Sequence, residues 1–480
     1  MRARAAWGAG TVAGAAAGAA GIALRDADRR HRLERQARVW RLTARRGLHW
    51  ATIKIRGRRA TEAERARLEE QFAIRTAEDV AAVLGGMKGA IMKAGQMLSF
   101  IAEGLPPEAQ AALATLQADV PPMAPSLAEQ VVRDELGGDP EHLFLDWDPV
   151  PVAAASIGQV HRAVMPDGRV VAVKVQYPGV DKAIRSDLDN AEMLYGLFAQ
   201  FALKNLDVKA LVDELRGRMA DELDYRLEAR LQEEFANRYD THPFISAPHV
   251  VPERSARRVL TSEWVDGMRW SEFLAAATQD EKDHAAEVIM RFSQGAIHRY
   301  GVFNGDPHPG NYRFHADGTV TFLDFGLVKH WSRGELERLT TVLDAILAGD
   351  AQGAVDGAIA AGFLPDDHGL DPEFVFEYVR GPYEPFLSDQ FTYTRDWTAK
   401  ALQTVIDLQG RYSEVIKKLN MPPSYVILDR VVWGVSALMG HLHATSNWRA
   451  LLAEYRKDAP PSTELGRIEA EWRATRPAAR

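Results

Sequence analysis

The chain contains no cysteine among its 480 residues. This absence excludes disulfide bonds, thiolate metal sites and a cysteine nucleophile, and it fits a reducing compartment. Positive charge is not in excess either, because the formal net charge is −8. Nucleic acid is therefore not expected as the main partner. With 46% hydrophobic and 26% charged residues the composition is that of a globular protein, and its length predicts two or three structural units.

Strongly apolar runs that could cross a bilayer are also scarce. Residues 5–24 are uncharged, but alanine and glycine dominate them, with Gly10, Gly14 and Gly18 on one helix face. This composition allows a poorly ordered terminus, a marginal membrane helix or a cleaved signal peptide. Residues 25–59 hold thirteen Lys and Arg against three acidic residues. Such a segment is typical of a helix on an anionic membrane surface or of a solvated charged helix.

A strand, a turn and a second strand are predicted after Pro151. An alanine-rich run precedes the first strand, the turn is Pro166-Asp167-Gly168, and Lys174 lies near the end of the second strand. In protein kinases this arrangement places a phosphate-covering loop before a lysine that contacts ATP. Alanine in place of glycine permits close approach to phosphate but resists positive φ. A structural hairpin with a solvated lysine is the alternative.

A lysine of this kind needs a carboxylate from a neighbouring helix. The predicted helix over residues 212–233 offers Glu222, Asp224 and Glu228, and the last two share a face at a four-residue step. Surface glutamates are the common alternative on any helix. Farther along, the strand predicted over residues 258–265 stands where a kinase hinge would bind adenine, around Glu263 to Val265.

The most specific pattern runs from Asn304 to Gly326. Asp306 is followed five residues later by Asn311, as in a kinase catalytic loop, where the Asp orients or deprotonates the attacking hydroxyl and the Asn holds magnesium. A hairpin with an Asp-Gly turn then leads to Asp324 in Asp-Phe-Gly, which binds the metal bridging the phosphates. These residues predict ATP and Mg²⁺ as ligands.

His308 stands between two prolines of the same loop and could be a metal ligand, a base or a packing residue. Packing is favoured, because magnesium prefers oxygen and no second histidine stands at metal-ligand spacing.

Taken together, the motifs resemble the UbiB family of atypical kinases with an aarF-type domain, over roughly residues 80–455. Lys93-Ala94-Gly95-Gln96 matches the family's Lys-x-Gly-Gln motif, and Ala153 to Ser156 matches its alanine-rich loop. Glu222-Leu223-Asp224 matches its Glu-x-Asp motif, and Asp306 to Asn311 its catalytic loop.

The resemblance implies that the helix carrying Lys93 lies across the site where a kinase would accept a protein substrate, near Glu222 and Asp224. It assigns Lys174 to ATP, with Glu222 or Glu228 as its carboxylate partner. Members of the family are similar to ATPases or small-molecule kinases more than to protein kinases. Many support ubiquinone or other isoprenoid-lipid metabolism at membranes, which implies a lipid or quinone-pathway molecule or enzyme as partner.

Two features depart from the family pattern and from ordinary kinases. Asn304 stands where the family usually has histidine, and no Ala-Pro-Glu sequence follows Asp324, so a peptide-docking activation segment is not expected. Two other functions stay open. One is a small-molecule phosphotransferase of the antibiotic-kinase kind, which shares the Asp-x4-Asn spacing, and the other is a non-catalytic ATP-binding scaffold for membrane partners.

The resulting expectation is an α+β, protein-kinase-like bilobal fold in a cytoplasmic protein that is peripheral to, or weakly anchored in, a membrane. The segments are a basic N-terminal segment (1–60), a helical extension (61–145), an N-lobe (146–265), a helical C-lobe (266–460) and a polar tail (461–480). The expected catalytic residues are Asp306, Lys174 and Lys93, and the expected metal ligands are Asn311 and Asp324. The residues expected to bind nucleotide are Ala153, Ala154, Ala155, Ser156, Lys174, Glu222, Asp224, Glu228, Glu263 and Val265.

Overall fold

The computed structural model describes residues 123–155, 157–181, 221–407, 410–420 and 422–476. These residues form a sheet-containing lobe followed in the chain by a helix-rich lobe. The N-terminal segment 1–60 and the Lys-x-Gly-Gln motif lie outside the described residues.

The first lobe is built on one antiparallel sheet. Its strands are β1 (Asp146–Trp147), β2 (Ala153–Ala155), β3 (Gly158–Val164), β4 (Val170–Gln176) and, later in the chain, β6 (Val259–Glu263). The path through the sheet is β1-β3-β4-β6, and β2 pairs with β3. In the register of β4 with β6, Lys174 stands opposite Leu260, and Ala172 opposite Ser262. Because side chains alternate along a strand, Lys174 and Ala172 face the same side of the sheet.

Two helices cover the other face of this sheet, namely α1 (Pro125–Leu136) and the single turn α2 (Pro140–Leu143). Val131 and Val132 of α1 are buried against Val171 and Val173 of the sheet. Residues 125–143 belonged to the predicted helical extension. In the structure they pack on the N-lobe, because the alternating valines of β4 present an apolar face that these helices bury.

Helix α3 (Tyr225–Arg238) crosses beside the sheet. The helix predicted over residues 212–233 is interrupted at Leu223 and Asp224, between the helical residues 221–222 and the start of α3 at Tyr225. Asp224 has extended backbone angles and caps α3, because its carboxylate accepts the N–H of Arg226 at 3.1 Å. A short strand, β5 (Ile245–Ser246), follows α3.

The second lobe begins after β6. Its helices are α4 (Trp270–Ala276), α5 (Gln279–Tyr300), α6 (Arg333–Ala348), α7 (Ala351–Ala360), α8 (Pro372–Val379), α9 (Arg395–Ile406), α10 (Ser413–Lys418), α11 (Pro423–Leu442), α12 (Trp448–Arg456) and α13 (Glu464–Ala474). Its strands are β7 (Val302–Asn304), β8 (Tyr312–Phe314), β9 (Val320–Phe322), β10 (Val328–His330), β11 (Phe391–Thr392) and β12 (Thr445–Ser446). The predicted hairpin of the catalytic pattern is the pair β8 and β9.

Helix α5 is the centre of this lobe. It begins at a capping box formed by Thr278 and Glu281 and ends at Gly301, whose φ of 62° is left-handed. Phe292 of α5 stacks on Phe322 of β9 at 3.7 Å between ring centroids. The strands that carry the catalytic loop are therefore fixed directly to the core.

The segment that the sequence presents as a polar tail contains α13, which is packed rather than free. Glu469 of α13 is 7% exposed and accepts hydrogen bonds from Arg291 and Arg299 of α5. The hydropathy of the sequence does not indicate that α13 is packed, because the groups buried in this contact are charged.

The α+β architecture with a helix-rich second lobe confirms the expected fold class. Within the described residues, no helix combines the length and apolar content needed to span a membrane.

Candidate nucleotide-binding and catalytic cleft

A cavity of about 400 Å³ lies between the sheet, α3 and the β7–β9 region. Most of the predicted site residues line it: Ala153, Ala154, Ala155, Lys174, Glu228, Glu263, Val265, Asp306, Asn311 and Asp324. The structure thus brings together side chains that are up to 171 positions apart in the chain. Ligand pockets of proteins have volumes of about 300–1,000 Å³.

Lys174 links the sheet to α3. Its Nζ donates to Oε1 of Glu228 at 2.6 Å and lies 3.7 Å from Oδ2 of Asp324. Lys174 remains 18% exposed at the cavity wall, and Glu228 remains 8% exposed. Of the carboxylates left open by the sequence, Glu228 is the one that forms the ion pair with Lys174.

Burial and neighbouring charges shift the pKa values of Lys174 and Glu228. Burial alone would lower the pKa of Lys174, but the nearby charges of Asp324 and Glu228 raise this pKa well above its ordinary value. Burial raises the pKa of Glu228 to about 7, against the opposing effect of the Lys174 ammonium. Glu228 is therefore a carboxylate whose charge changes near neutral pH.

Tyr225, the first residue of α3, supports the lysine. The Lys174 ammonium lies 5.0 Å from the centre of the Tyr225 ring, within the range of a cation–π contact. Gly158 makes room for this ring, because a Cβ atom at that position would clash with the Val175 carbonyl and lie 3.0 Å from the Tyr225 hydroxyl.

Asn304 ties the catalytic loop to the Asp-Phe-Gly segment. Its Oδ1 accepts the N–H of Asp306 at 2.9 Å, and its Nδ2 donates to the carbonyl of Asp324 at 2.5 Å. Asn304 therefore makes both connections itself, since its amide carries an acceptor and a donor.

Asp306 is 4% exposed and forms an ion pair with Arg430 of α11. Arg430 Nη2 donates to Asp306 Oδ1, although the two residues are 124 positions apart. A buried carboxylate needs such a partner, because desolvation without one costs several kcal/mol. Arg430 therefore fixes one oxygen of the predicted catalytic aspartate.

The Asp-Phe-Gly segment is held on both sides of Asp324. Oδ1 of Asp324 accepts the N–H of Gly326 at 2.9 Å. Phe325 is fully buried, and its ring lies 4.9 Å from that of Phe235 in α3. Helix α3 therefore contacts this segment through an aromatic pair, and Lys174 links Glu228 of α3 to Asp324.

His308 has a local role in the same loop. Its Nδ1 accepts the N–H of Gly310 at 3.1 Å and so caps the short turn Pro309–Asn311. This turn presents Asn311 at the cavity, and Leu323 N–H donates to the Asn311 carbonyl at 2.9 Å.

The rim opposite the catalytic loop contains the predicted hinge segment and the alanine-rich segment, which the sequence predicts as a loop and which forms strand β2 over Ala153–Ala155. Trp264 N–H donates to the Val170 carbonyl at 3.1 Å, and the Glu263 carboxylate accepts the His249 N–H at 2.9 Å. Ala153 pairs with Val160, so β2 forms one side of the cavity mouth.

Two of the described site residues, Glu222 and Asp224, are not brought to the cavity wall. Lys93 and Ser156 lie outside the described residues. Asp224 caps α3 and pairs with Arg226, so the expectation that it shares a face with Glu228 is wrong, because the helix begins after it. Glu222 precedes α3 and does not line the cavity, although its charge contributes to the raised pKa of Glu228.

Arg430 and Gln232 were missed in the sequence. Gln232 is 1% exposed, lines the cavity and donates to the Pro248 carbonyl at 2.8 Å. Arg430 had a signal, since an arginine inside the apolar stretch from Tyr425 to His443 is expected to have a charged partner. The identity of that partner was not visible without the fold.

Among the described residues, no group of three or more His, Asp or Glu side chains forms a cage for a metal ion. Magnesium does not need one in nucleotide sites, where one or two side chains and the phosphates bind it. Asn311 and Asp324 both reach the cavity and both offer oxygen, so they fit this ion.

Comparison with known proteins identifies the family. A sequence model of the ABC1 atypical kinase-like domain matches residues 115–357, which is half of the chain. The chain belongs to the ABC1 atypical kinase-like family. This result confirms the resemblance to the UbiB kinases.

Relatives of the ABC1 family include chloroplast, mitochondrial and bacterial proteins. The chain is 31% identical to ACTIVITY OF BC1 COMPLEX KINASE 1 of Arabidopsis thaliana, over 70% of this chain and 48% of that protein. It is 33% identical to the mitochondrial atypical kinase COQ8 of Saccharomyces cerevisiae, over 58% of this chain and 56% of that protein. The chain spans about half the length of the curated relatives it matches.

A solved structure is also similar. The complex of Rv3197 with erythromycin from Mycobacterium tuberculosis superposes with a TM-score of 0.59 at 32% identity, covering 82% of this chain and 98% of that one.

Proposed function

We propose that this protein is an ATP-binding, magnesium-dependent atypical kinase or ATPase that transfers the terminal phosphoryl group of ATP. The observation that carries the proposal is the ion pair of Lys174 with Glu228. The Lys174 Nζ also lies 3.7 Å from Oδ2 of Asp324, and Asp306 and Asn311 line the same cavity. Phosphoryl transfer depends mainly on positioning and electrostatic stabilisation, and these residues supply both.

Each side chain has a distinct task in this proposal. Lys174, held by Glu228, binds phosphate oxygens, and the hinge backbone from Glu263 to Val265 binds the base. Asn311 and Asp324 hold magnesium, which supplies positive charge against the charge on the phosphates.

Asp306 orients the attacking hydroxyl through the oxygen that Arg430 does not use. Arg430 keeps the other oxygen fixed. A carboxylate anchored at one oxygen has a defined direction for the other, which is the requirement for a positioned acceptor.

Magnesium-dependent ADP release by the purified protein tests the proposal. Asp324→Asn keeps the shape of the side chain but removes its charge, so we expect ADP release to fall to background. Asp389→Asn is the matched control, because Asp389 is 90% exposed. Undiminished ADP release by Asp324→Asn would show that the assigned site is wrong.

We further propose that the activity serves isoprenoid-quinone or membrane-lipid metabolism, as the likeness to the UbiB kinases implies. The quinone and lipid profile of a strain without the protein, complemented by wild type or Asp324→Asn, tests this. A profile restored equally by both would favour a non-catalytic scaffold.

A small-molecule phosphotransferase is the second candidate. The relative from M. tuberculosis, whose solved complex contains erythromycin, supports small-molecule binding in the family. Incubation of the protein with labelled ATP and a macrolide distinguishes this candidate, because it predicts label in the macrolide rather than free phosphate.

Membrane association is proposed through the basic residues 25–59. Deletion of residues 1–60 should abolish co-sedimentation with anionic liposomes, since each Lys or Arg near such a surface contributes about 1 kcal/mol. Co-sedimentation that persists in the deletion variant would place the membrane contact elsewhere.

A further inference from the structure

Helix α13 lies against the carboxyl end of α3. Arg476, just beyond α13, donates through Nη1 to the carbonyl of Arg238 and through Nη2 to the carbonyl of Asn237 at 3.0 Å. The last four carbonyls of a helix have no partner within it, and this end carries partial negative charge. The Arg476 guanidinium therefore caps α3.

Trp472 makes a second contact with the turn that follows α3. Its ring lies 4.3 Å from that of His242, and its Nε1 is 3.4 Å from the Thr241 hydroxyl. Thr241 has a φ of 57°, a left-handed conformation that a β-branched residue rarely adopts. Trp472 thus covers the strained turn in which α3 ends.

His242 stabilises the same turn from its buried side. Burial lowers the pKa of His242 to about 3, so the ring is neutral at neutral pH. Its Nδ1 accepts the N–H of Ile245 at 3.0 Å. The path of the chain out of α3 is therefore fixed beneath the Trp472 ring.

The other side of α13 is fixed to the core of the second lobe. Glu469 accepts from Arg291 at 3.1 Å and from Arg299 at 3.0 Å, both on α5. The Arg291 side chain is fully buried. Helix α13 therefore connects the central helix α5 to the carboxyl end of α3.

Helix α3 carries two contacts of the cleft, the Glu228 ion pair with Lys174 and the Phe235 contact with Phe325. Glu228 and Arg238 are ten residues apart, or about 15 Å along the helix axis. A helix of this length moves as a unit, so its carboxyl end and Glu228 shift together.

We infer that the C-terminal helix α13 positions α3 and, through it, the Lys174–Glu228 pair, with Trp472 and Arg476 as the positioning residues. The effect on turnover rests on the proposed function, whereas the effect on α3 does not. Helix α13 and Arg476 thereby help to hold Lys174 in position.

Hydrogen exchange of the protein without nucleotide tests the mechanical part. Arg476→Gln should make the amides in the last turns of α3 exchange about tenfold faster, the size expected from losing one of its two charge-assisted hydrogen bonds. Acylation of Lys174, followed by mass spectrometry, should also be faster as its ion pair loosens. Amides of α5 serve as the internal reference for global unfolding.

Arg467→Gln is the matched control, because Arg467 of α13 is 59% exposed and pairs only with Glu464 of the same helix among the described residues. Its α3 exchange and Lys174 acylation should equal those of wild type. Trp472→Leu should also speed α3 exchange and Lys174 acylation, because it removes the ring that contacts His242. Unchanged α3 exchange and unchanged Lys174 acylation in Arg476→Gln would overturn the inference.

A double-mutant cycle connects Arg476 to catalysis. Arg476→Gln should raise the KM for ATP about fivefold, a modest coupling between separate sites. It should have no further effect in Glu228→Gln, because the pair through which it acts is already lost. Additive effects would contradict the route through Glu228. If the wild-type protein releases no ADP, the proposed function fails, while exchange and acylation still decide the role of α13.

Discussion

The protein contains two clusters of buried opposite charges, and they are built differently. In the cleft, Lys174 is shared between Glu228 and Asp324, and these side chains remain 8–22% exposed at the cavity. In the second lobe, Arg291 is fully buried and bonds to Glu287, Glu454 and Glu469. The first cluster faces space that a ligand can fill, and the second is closed by protein groups alone.

The pKa values of one carboxylate from each cluster, Glu228 and Glu454, shift in opposite directions. Burial and the charge of Asp324 raise the pKa of Glu228, although Lys174 opposes the shift. Burial would also raise the pKa of Glu454, but hydrogen bonds from Arg291 and Ser462 lower it. Glu454 accepts hydrogen bonds from both Arg291 and Ser462 and is held as a charge. Glu228 has the hydrogen bond from Lys174, which does not offset its burial, so it can change protonation near neutral pH. In our proposal the cleft cluster is functional and the closed cluster is structural.

The largest effect is expected on breaking the closed network. Arg291→Met leaves several buried carboxylates without their cation, so we expect a loss of about 3–5 kcal/mol in the free energy of unfolding. Thermal and urea unfolding measure this loss. Arg449→Met is the control, since Arg449 is 55% exposed and should change stability by less than about 0.5 kcal/mol. A variant Arg291→Met as stable as wild type would remove the distinction between the clusters.

Breaking the cleft cluster should change turnover instead of stability. Lys174→Met should lower ADP release about 100-fold, as is typical when one donor to developing charge is lost. Its melting temperature should stay near that of wild type, because Glu228, with a pKa of about 7, becomes neutral readily when its cation is removed. Steady-state kinetics and calorimetry on the same sample test this prediction. A large loss of stability with unchanged turnover would make Lys174 a structural residue.

The Arg430–Asp306 pair has a feature of each cluster, since Asp306 is buried and is also catalytic in our proposal. Arg430→Lys keeps the charge but loses the geometry of the guanidinium. We expect kcat to fall about tenfold with an unchanged KM for ATP, because Asp306 is misdirected while the nucleotide site is intact. An increase in KM with unchanged kcat would assign Arg430 to binding rather than to the position of Asp306.

The smallest effect should appear in the pH dependence. The Lys174–Glu228 ion pair forms fully only above the raised pKa of Glu228, about 7, so turnover should rise severalfold between about pH 6 and pH 8. Glu228→Gln should be slower and should lack this rise. A pH–rate profile of Glu228→Gln parallel to that of wild type would show that another group titrates.

The same carboxylates predict opposite stability changes with pH. The folded-state pKa of Glu228 is above its unfolded value, so its contribution is present at low pH and is lost as pH rises through about 7. The pKa of Glu454 is depressed, so its contribution is present above the unfolded value and is lost as pH falls through the folded one. Comparing the pH dependence of stability in Glu228→Gln and Glu454→Gln measures both contributions.

The parts of the site that could be predicted from sequence are those encoded over a short span. Asp306, Asn311 and Asp324 lie within nineteen residues of chain, and the strand and turn residues between them specify the hairpin directly. The valine-rich strand before Lys174 is equally local. For these residues, spacing alone determines the relative positions of the side chains.

The rest depends on contacts between distant parts of the chain. The sequence does not show where α3 begins, and this start leaves Glu222 and Asp224 before the helix and Glu228 on it, where it bonds to Lys174. Arg430 meets Asp306 across 124 positions, and α13 is packed through charged groups that give no hydropathy signal. Periodicity detects buried apolar faces but not buried ion pairs.

Calorimetric titration of the purified protein with ATP, with and without magnesium, tests the central claim most directly. We predict that magnesium strengthens ATP binding to wild type and to Asp389→Asn but not to Asp324→Asn. Equal strengthening by magnesium in Asp324→Asn, or no ATP binding by wild type, would contradict the assignment of the cleft as a magnesium–nucleotide site.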